Sequence, residues 1–221
     1  MSIKAVIFDM DGVLIEAKEW HYEALNEALA LFGFGISRQD HEQRFDGLPT
    51  RTKLLALSQE TALPVALHGF INRMKQHYTA ALARRHLQPN PLHLYALKTL
   101  RAEGYRLGIA SNSIRSTIEM MMSLAGLTPY LDFMLSNEDV QHPKPSPEIY
   151  LKALALADVA PEECLVLEDN PFGWQAAEEA GTHLLRIGAV NEVNYGNVRR
   201  AIEAIQARPV TASGMRPLRV A

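Results

Sequence analysis

Four short, β-rich apolar runs, at residues 3–8, 107–110, 164–167 and 184–187, constrain this chain more than any other feature. Each is closed by polar residues and does not alternate in polarity, the pattern of strands buried on both faces of a parallel sheet. Helical patterns separate them, at 91–103, 114–125, 147–157 and 173–180. Gly104 and Gly126 fall where helices should end, and Pro91, Pro147 and Pro161 where helices begin. Strand and helix in alternation predict an α/β fold, a Rossmann-like, doubly wound parallel sheet.

Residues 17–85 break that alternation, with helical patterns at 18–32, 50–59 and 65–85 and no convincing strand. In the last of these, Leu67, Phe70, Ile71, Met74, Tyr78 and Leu82 recur at three- and four-residue spacing as one apolar stripe. An inserted all-helical cap domain over 17–85 is the simplest reading, with 1–16 and 86–207 forming the core. A chain of 221 residues has room for one domain and such an insert, at about 150 residues per domain. The tail, 208–221, has no periodic pattern and is expected to be poorly ordered.

Composition narrows the function. Hydrophobic residues make up 48% and charged residues 21%, enough apolar mass for a packed core. Cys164 is the only cysteine, which rules out an intrachain disulfide and a Cys2His2 zinc site. A net charge of −3 with no basic block gives no general case for nucleic acid. The longest charge-free runs, of about 12 residues, fall short of a membrane span, and the apolar run ending at Asp9 is too short for a secretory signal. A cytoplasmic protein without membrane or nucleic-acid partners is expected.

Ligands of open parallel sheets sit beyond the carboxyl ends of the strands. The residues there are Asp9 and Asp11, then Ser111, Asn112 and Ser113, then Glu168 and Asp169. Lys144 stands between Pro143 and Pro145, where no helix can run through. Singly, Asp11, Ser111 or Asp169 reads equally well as a helix cap, and Lys144 as a solvated loop lysine. Capping accounts for one carboxylate per turn and not for two pairs. Several carboxylates, a hydroxyl and a lysine on one edge repel unless a cation joins them, which points to Mg2+ and a small anionic substrate.

Asp9-Met10-Asp11-Gly12-Val13 after a strand resembles the first motif of the haloacid dehalogenase superfamily. Ser111-Asn112 resembles its second motif, Lys144 its third and Glu168-Asp169 its fourth, all in order over nearly the whole chain. Residues 8–13, Trp20-His21 and 167–169 look like the branch of β-phosphoglucomutases and sugar phosphatases. The resemblance implies a phosphatase of small phosphorylated metabolites, with Asp9 as nucleophile and Asp11 as general acid and base. It implies that Ser111 binds the phosphoryl oxygens, together with Asn112 and Ser113, and that Lys144 neutralises charge. Asp9, the Asp11 carbonyl and Asp169 would hold Mg2+, with Glu168 behind them.

A dehalogenase needs neither a second acid at Asp11 nor a metal, so Asp11 favours phosphoryl transfer. A receiver-type signalling domain carries its acidic pair and its phosphoacceptor after separate strands, unlike the single motif here. A phosphosugar mutase remains the main alternative. It needs cations for a distal phosphate, and His21, Arg51 and Arg115 resemble substrate contacts in that branch, although each also reads as a solvated helix residue. Glu16-Ala17 replace the Asp-Thr or Asp-Ser pair of the branch, so no hydroxyl is expected there to hold Asp11 at rest. Cys164, the Met120-Met121-Met122 run, Trp20 and Trp174 read as packing residues.

Overall fold

A strand covered on both faces gains nothing from polar side chains, and β1 (Ala5–Phe8) has all four of its residues fully buried. The computed structural model describes residues 2–207 and the backbone of Leu218 and Arg219. β2 (Arg106–Ala110), β3 (Phe133–Leu135), β4 (Cys164–Glu168), β5 (His183–Arg186) and β6 (Leu218–Arg219) complete one sheet. The order is β3-β2-β1-β4-β5-β6, and every pairing is parallel. From β1 the chain winds outward through β2 to β3, then returns to the other side of β1 with β4. That reversal makes the crevice at the carboxyl ends of β2, β1 and β4 the expected ligand site. The doubly wound α/β fold read from the sequence is the fold observed.

The chain forms two compact units, Ala17–Leu87 and the residues before and after that stretch. The first is helical: α1 (Lys18–Ala30), α2 (Arg38–Asp40) running into a π-helical turn at His41–Phe45, α3 (Thr50–Glu60) and α4 (His68–His86). Leu25, Leu29, Phe45, Leu54 and Ile71 form its core. The apolar stripe at 65–85 is interrupted. Val65–Leu67 is a separate 3-10 turn, and Phe70 is 41% exposed, set edge-on against Phe32.

In the sheet unit, α5 (Pro91–Ala102), α6 (Arg115–Leu124), α7 (Glu148–Ala157), α8 (Pro171–Glu179) and α9 (Tyr195–Gln206) accompany the strands. α5 and α8 each begin with proline after an asparagine whose side chain accepts the N–H two residues on. Ile7, Ala110, Tyr150, Val166 and Ala176 belong to one core cluster. Met121 and Met122 are buried, and Cys164 is fully buried with its thiol pushed up by burial, so all three pack as expected. β3, α2 and α9 have no counterpart among the elements expected from the sequence. The expectation of a poorly ordered tail falls mostly outside the described residues; the two described there, Leu218 and Arg219, pair with Leu185 and Arg186.

The helical unit buries one unusual group. His41 is 5% exposed and packs on the Tyr22 ring, and its Nδ1 has no hydrogen-bond partner. Burial and the neighbouring Lys53 push its pKa down to about 4. The folded chain therefore favours neutral His41, and the stabilisation is complete above the unfolded value near 6.5 and lost as pH falls towards 4. Measured by thermal unfolding, the stability of wild type relative to His41→Gln should fall between pH 7 and pH 4.5. A difference that does not change with pH would refute this.

Candidate active site

The site begins where β1 ends. The Asp9 N–H still donates to Leu167 O of β4 (3.0 Å), so strand pairing fixes the backbone that carries this carboxylate. The chain then turns sharply, with Ile15 N donating to Met10 O (2.9 Å) and Gly12 N to Ile15 O (2.7 Å). Gly12 sits at φ +86°, a conformation open to glycine and costly for a residue with a Cβ. On the next strand, Ser111 follows β2, its N–H donating to Leu135 O (3.1 Å), and it is 1% exposed. Its Oγ accepts the Ser113 N–H (3.1 Å), and the Ser113 hydroxyl donates to Asp11 Oδ2 (2.9 Å). Glu16-Ala17 offer Asp11 no hydroxyl, as expected, and the hydroxyl that bonds its carboxylate comes from Ser113 in the loop after β2.

Lys144 is buried and pinned at both ends. Asn112 Oδ1 accepts the Lys144 N–H (3.0 Å) and Asn112 Nδ2 donates to the Lys144 carbonyl (3.2 Å). At the other end, the ammonium donates to Asp9 Oδ1 (2.8 Å), Ala110 O (2.7 Å) and Glu168 Oε1. Three protons meet three acceptors, as a buried ammonium requires. Glu168 Oε1 also accepts the Tyr150 hydroxyl (2.7 Å), and its Oε2 accepts the Asp169 N–H (3.2 Å).

One carboxylate oxygen from each of Asp9, Glu168 and Asp169 lies within 4.8 Å of the others. An all-oxygen donor set of this charge suits a hard divalent cation. Because Lys144, Tyr150 and two backbone N–H groups already engage Glu168, Asp9 and Asp169 are the better ligands of the three. Burial pushes the Asp9 carboxyl well above the usual range; Lys144 pulls it down, while Glu168, Asp169 and Asp11 push it further up. Burial alone would lower the Lys144 ammonium, but Asp9 and Glu168 outweigh it and hold the group above its ordinary value.

The structure therefore brings Asp9, Lys144, Glu168 and Asp169 together, joins Asp11 to Ser113, and sets Ser111 beside that pair. Asn112 grips the Lys144 backbone. Arg115 is engaged elsewhere: its Nη2 donates to both Asp139 oxygens (2.6 Å each). His21, on α1, bonds through Nδ1 to Lys75 (2.9 Å), and Arg51 is exposed near the start of α3. Trp174 Nε1 donates to Glu168 O (3.1 Å), and Trp20 stacks on His86. Two contributors were not read from the sequence. Tyr150 sits on a helix between apolar neighbours and looks like plain core. Gly173, on α8, faces Glu168 so closely that a Cβ there would overlap its carboxylate. Gly173→Ala is expected to cost about 1–3 kcal/mol, as overpacking does, a fall of roughly 2 to 12 °C in thermal midpoint. Calorimetry showing an unchanged midpoint would contradict the close approach.

The sequence profile of the haloacid dehalogenase-like hydrolases matches residues 6–187. A phosphorylated carbohydrates phosphatase of Thermotoga maritima is 31% identical over 88% of both chains. The pyrophosphatase PpaX of Bacillus cereus is 29% identical over 82% of both. Among solved structures, CbbY from Rhodobacter sphaeroides in complex with phosphate superposes with a TM-score of 0.75 at 27% identity, over 83% of this chain and 85% of that one.

Proposed function

The chain belongs to the haloacid dehalogenase-like hydrolases, and from that premise we propose that it is a Mg2+-dependent phosphatase of small phosphorylated carbohydrates, acting through an aspartyl-phosphate on Asp9. The observation that carries the reading is the buried Lys144 ammonium bonded to both Asp9 and Glu168, with Asp169 alongside, at the carboxyl ends of neighbouring strands. Mg2+ held by Asp9, Asp169 and the Asp11 carbonyl would offset the negative charge that a phosphate brings.

The residues divide the work by position. An Asp9 carboxylate oxygen attacks phosphorus, the bond to the sugar oxygen breaks, and the Asp11 carboxyl gives that oxygen its proton. The Asp11 carboxylate then takes a proton from water, which attacks the aspartyl-phosphate and releases phosphate and free Asp9. Lys144, fixed beside Asp9, stabilises the negative charge of the phosphoryl group through both steps. Ser111 and Ser113 are the hydroxyl donors for the phosphoryl oxygens, and Asn112 holds the Lys144 loop. His21 and Arg51 remain the proposed contacts to the rest of the substrate.

Hydrolysis is favoured over phosphosugar mutase activity by Arg115. A mutase must grip a distal phosphate through a bisphosphate intermediate, and this guanidinium is committed to Asp139.

A panel of sugar phosphates, other phosphate monoesters and pyrophosphate, assayed for released phosphate with Mg2+, tests the proposal. Sugar phosphates should be turned over best, with activity lost in EDTA and restored by Mg2+. Full turnover in chelator would refute the metal, and hydrolysis of pyrophosphate alone would refute the carbohydrate class. Conversion of β-glucose 1-phosphate, with a trace of the 1,6-bisphosphate, to glucose 6-phosphate without free phosphate would establish the mutase instead. No described helix is long and apolar enough to cross a membrane.

A further inference from the structure

Tyr150 is fully buried on α7, and it carries a polar group into a place where an apolar ring would pack as well. A buried hydroxyl is kept only where it finds a partner, and this one donates to Glu168 Oε1 at 2.7 Å. The same oxygen accepts the Lys144 ammonium, and Lys144 Nζ lies 4.9 Å from the centre of the Tyr150 ring. The tyrosine thus touches both members of the pair, the carboxylate through its hydroxyl and the cation through its face.

We infer that Tyr150 is a positioning residue for phosphoryl transfer, holding the Glu168 carboxylate so that Lys144 is presented to Asp9. Glu168 has other anchors: Lys144 itself, and on the opposite oxygen the N–H groups of Asp169 at 3.2 Å and Asn170 at 3.5 Å. Without the tyrosine hydroxyl, the side chain that aims Lys144 would be fixed on that oxygen only by the group it is meant to aim. Burial, with Glu168 and Asp9 nearby, holds the phenol well above its usual range, so it stays a donor at neutral pH. Gly173 clears the space into which the carboxylate is pressed, and no other side-chain hydroxyl among the described residues donates to Glu168.

The inference rests on the proposed phosphoryl transfer at Asp9. Tyr150→Phe keeps the ring, its packing and its face towards Lys144, and removes only the hydroxyl. The expected result is a fall in kcat of about tenfold with KM changed less than about twofold, as for the loss of one charge-assisted hydrogen bond that acts on the transition state. In a Glu168→Gln background the same substitution should change kcat less than about twofold, because the group it acts through is gone. An unchanged kcat in Tyr150→Phe would overturn the inference. An equal loss in both backgrounds would overturn it too, by showing that the hydroxyl does not act through Glu168.

A second measurement does not depend on the substrate or on Glu168→Gln folding. Beryllofluoride with Mg2+ mimics a phosphoryl group on an aspartate, and its binding is read by 19F NMR. Tyr150→Phe should bind it about tenfold more weakly than wild type; equal affinity would refute the positioning role. If wild type binds beryllofluoride but releases phosphate from no sugar phosphate, the carbohydrate reading fails while the role of Tyr150 is still decided.

Discussion

Asp9→Asn is expected to abolish the phosphoenzyme and to lower turnover by at least about 10^4-fold, since a carboxamide cannot act as the nucleophile. The substitution is nearly isosteric, and its carbonyl oxygen can still accept the Lys144 proton that Asp9 Oδ1 accepts now. Folding should therefore survive, and the metal-free variant should be at least as stable as wild type. The sign follows from the raised Asp9 carboxyl: a folded pKa above the unfolded one means that ionisation costs stability as pH rises through that window. Removing the charge removes the cost. Acid-quenched trapping with labelled substrate, alongside thermal unfolding in EDTA, measures both effects. A labelled aspartate in Asp9→Asn would overturn the nucleophile assignment. Asp11→Asn should differ, leaving the main-chain carbonyl of residue 11 able to hold the proposed Mg2+ while slowing both proposed proton transfers.

Lys144→Ala should lower turnover by about 10^2-fold or more, because it deletes a fixed positive charge beside the developing negative charge. It should also destabilise the fold. Glu168, 1% exposed, would lose its cation, and breaking a buried pair by removing one partner costs about 3–5 kcal/mol. Wild-type turnover would return Lys144 to an ordinary loop residue. The loop itself should hold, since its backbone is tied by Asn112.

The sequence made the sheet legible where strands are buried on both faces. The expected run at 164–167 and the observed Cys164–Glu168 coincide because every residue there is covered. β3 was not legible: three residues, two of them only half-buried, are too few to set a pattern. α9 was readable and was missed; Val198, Ala201, Ile202 and Ile205 are its buried face, diluted by Arg199, Arg200 and Glu203. In the candidate site, Asp9, Lys144, Glu168 and Asp169 stood out because acids and a lysine next to strand ends invite chemistry. The links among them did not. No spacing rule connects Tyr150 to Glu168 or Ser113 to Asp11, because Tyr150 reaches Glu168 from α7 and Ser113 meets Asp11 through the register of β2 on β1.

That register also sets an order of events during synthesis. β1 leaves the ribosome first, yet its partners are β2 and β4: Ala5 pairs with Arg106 on one side and Cys164 on the other. The helical unit, whose contacts are local, has everything it needs once Leu87 is made. β1, apolar throughout, must wait for Arg106 before its first partner strand begins and for Cys164 before its second. Such a strand is an aggregation hazard in the nascent state, and non-local parallel pairing of this kind is slow. β1 is thus born early and completed late, so truncated products ending before β4 should be client material for chaperones.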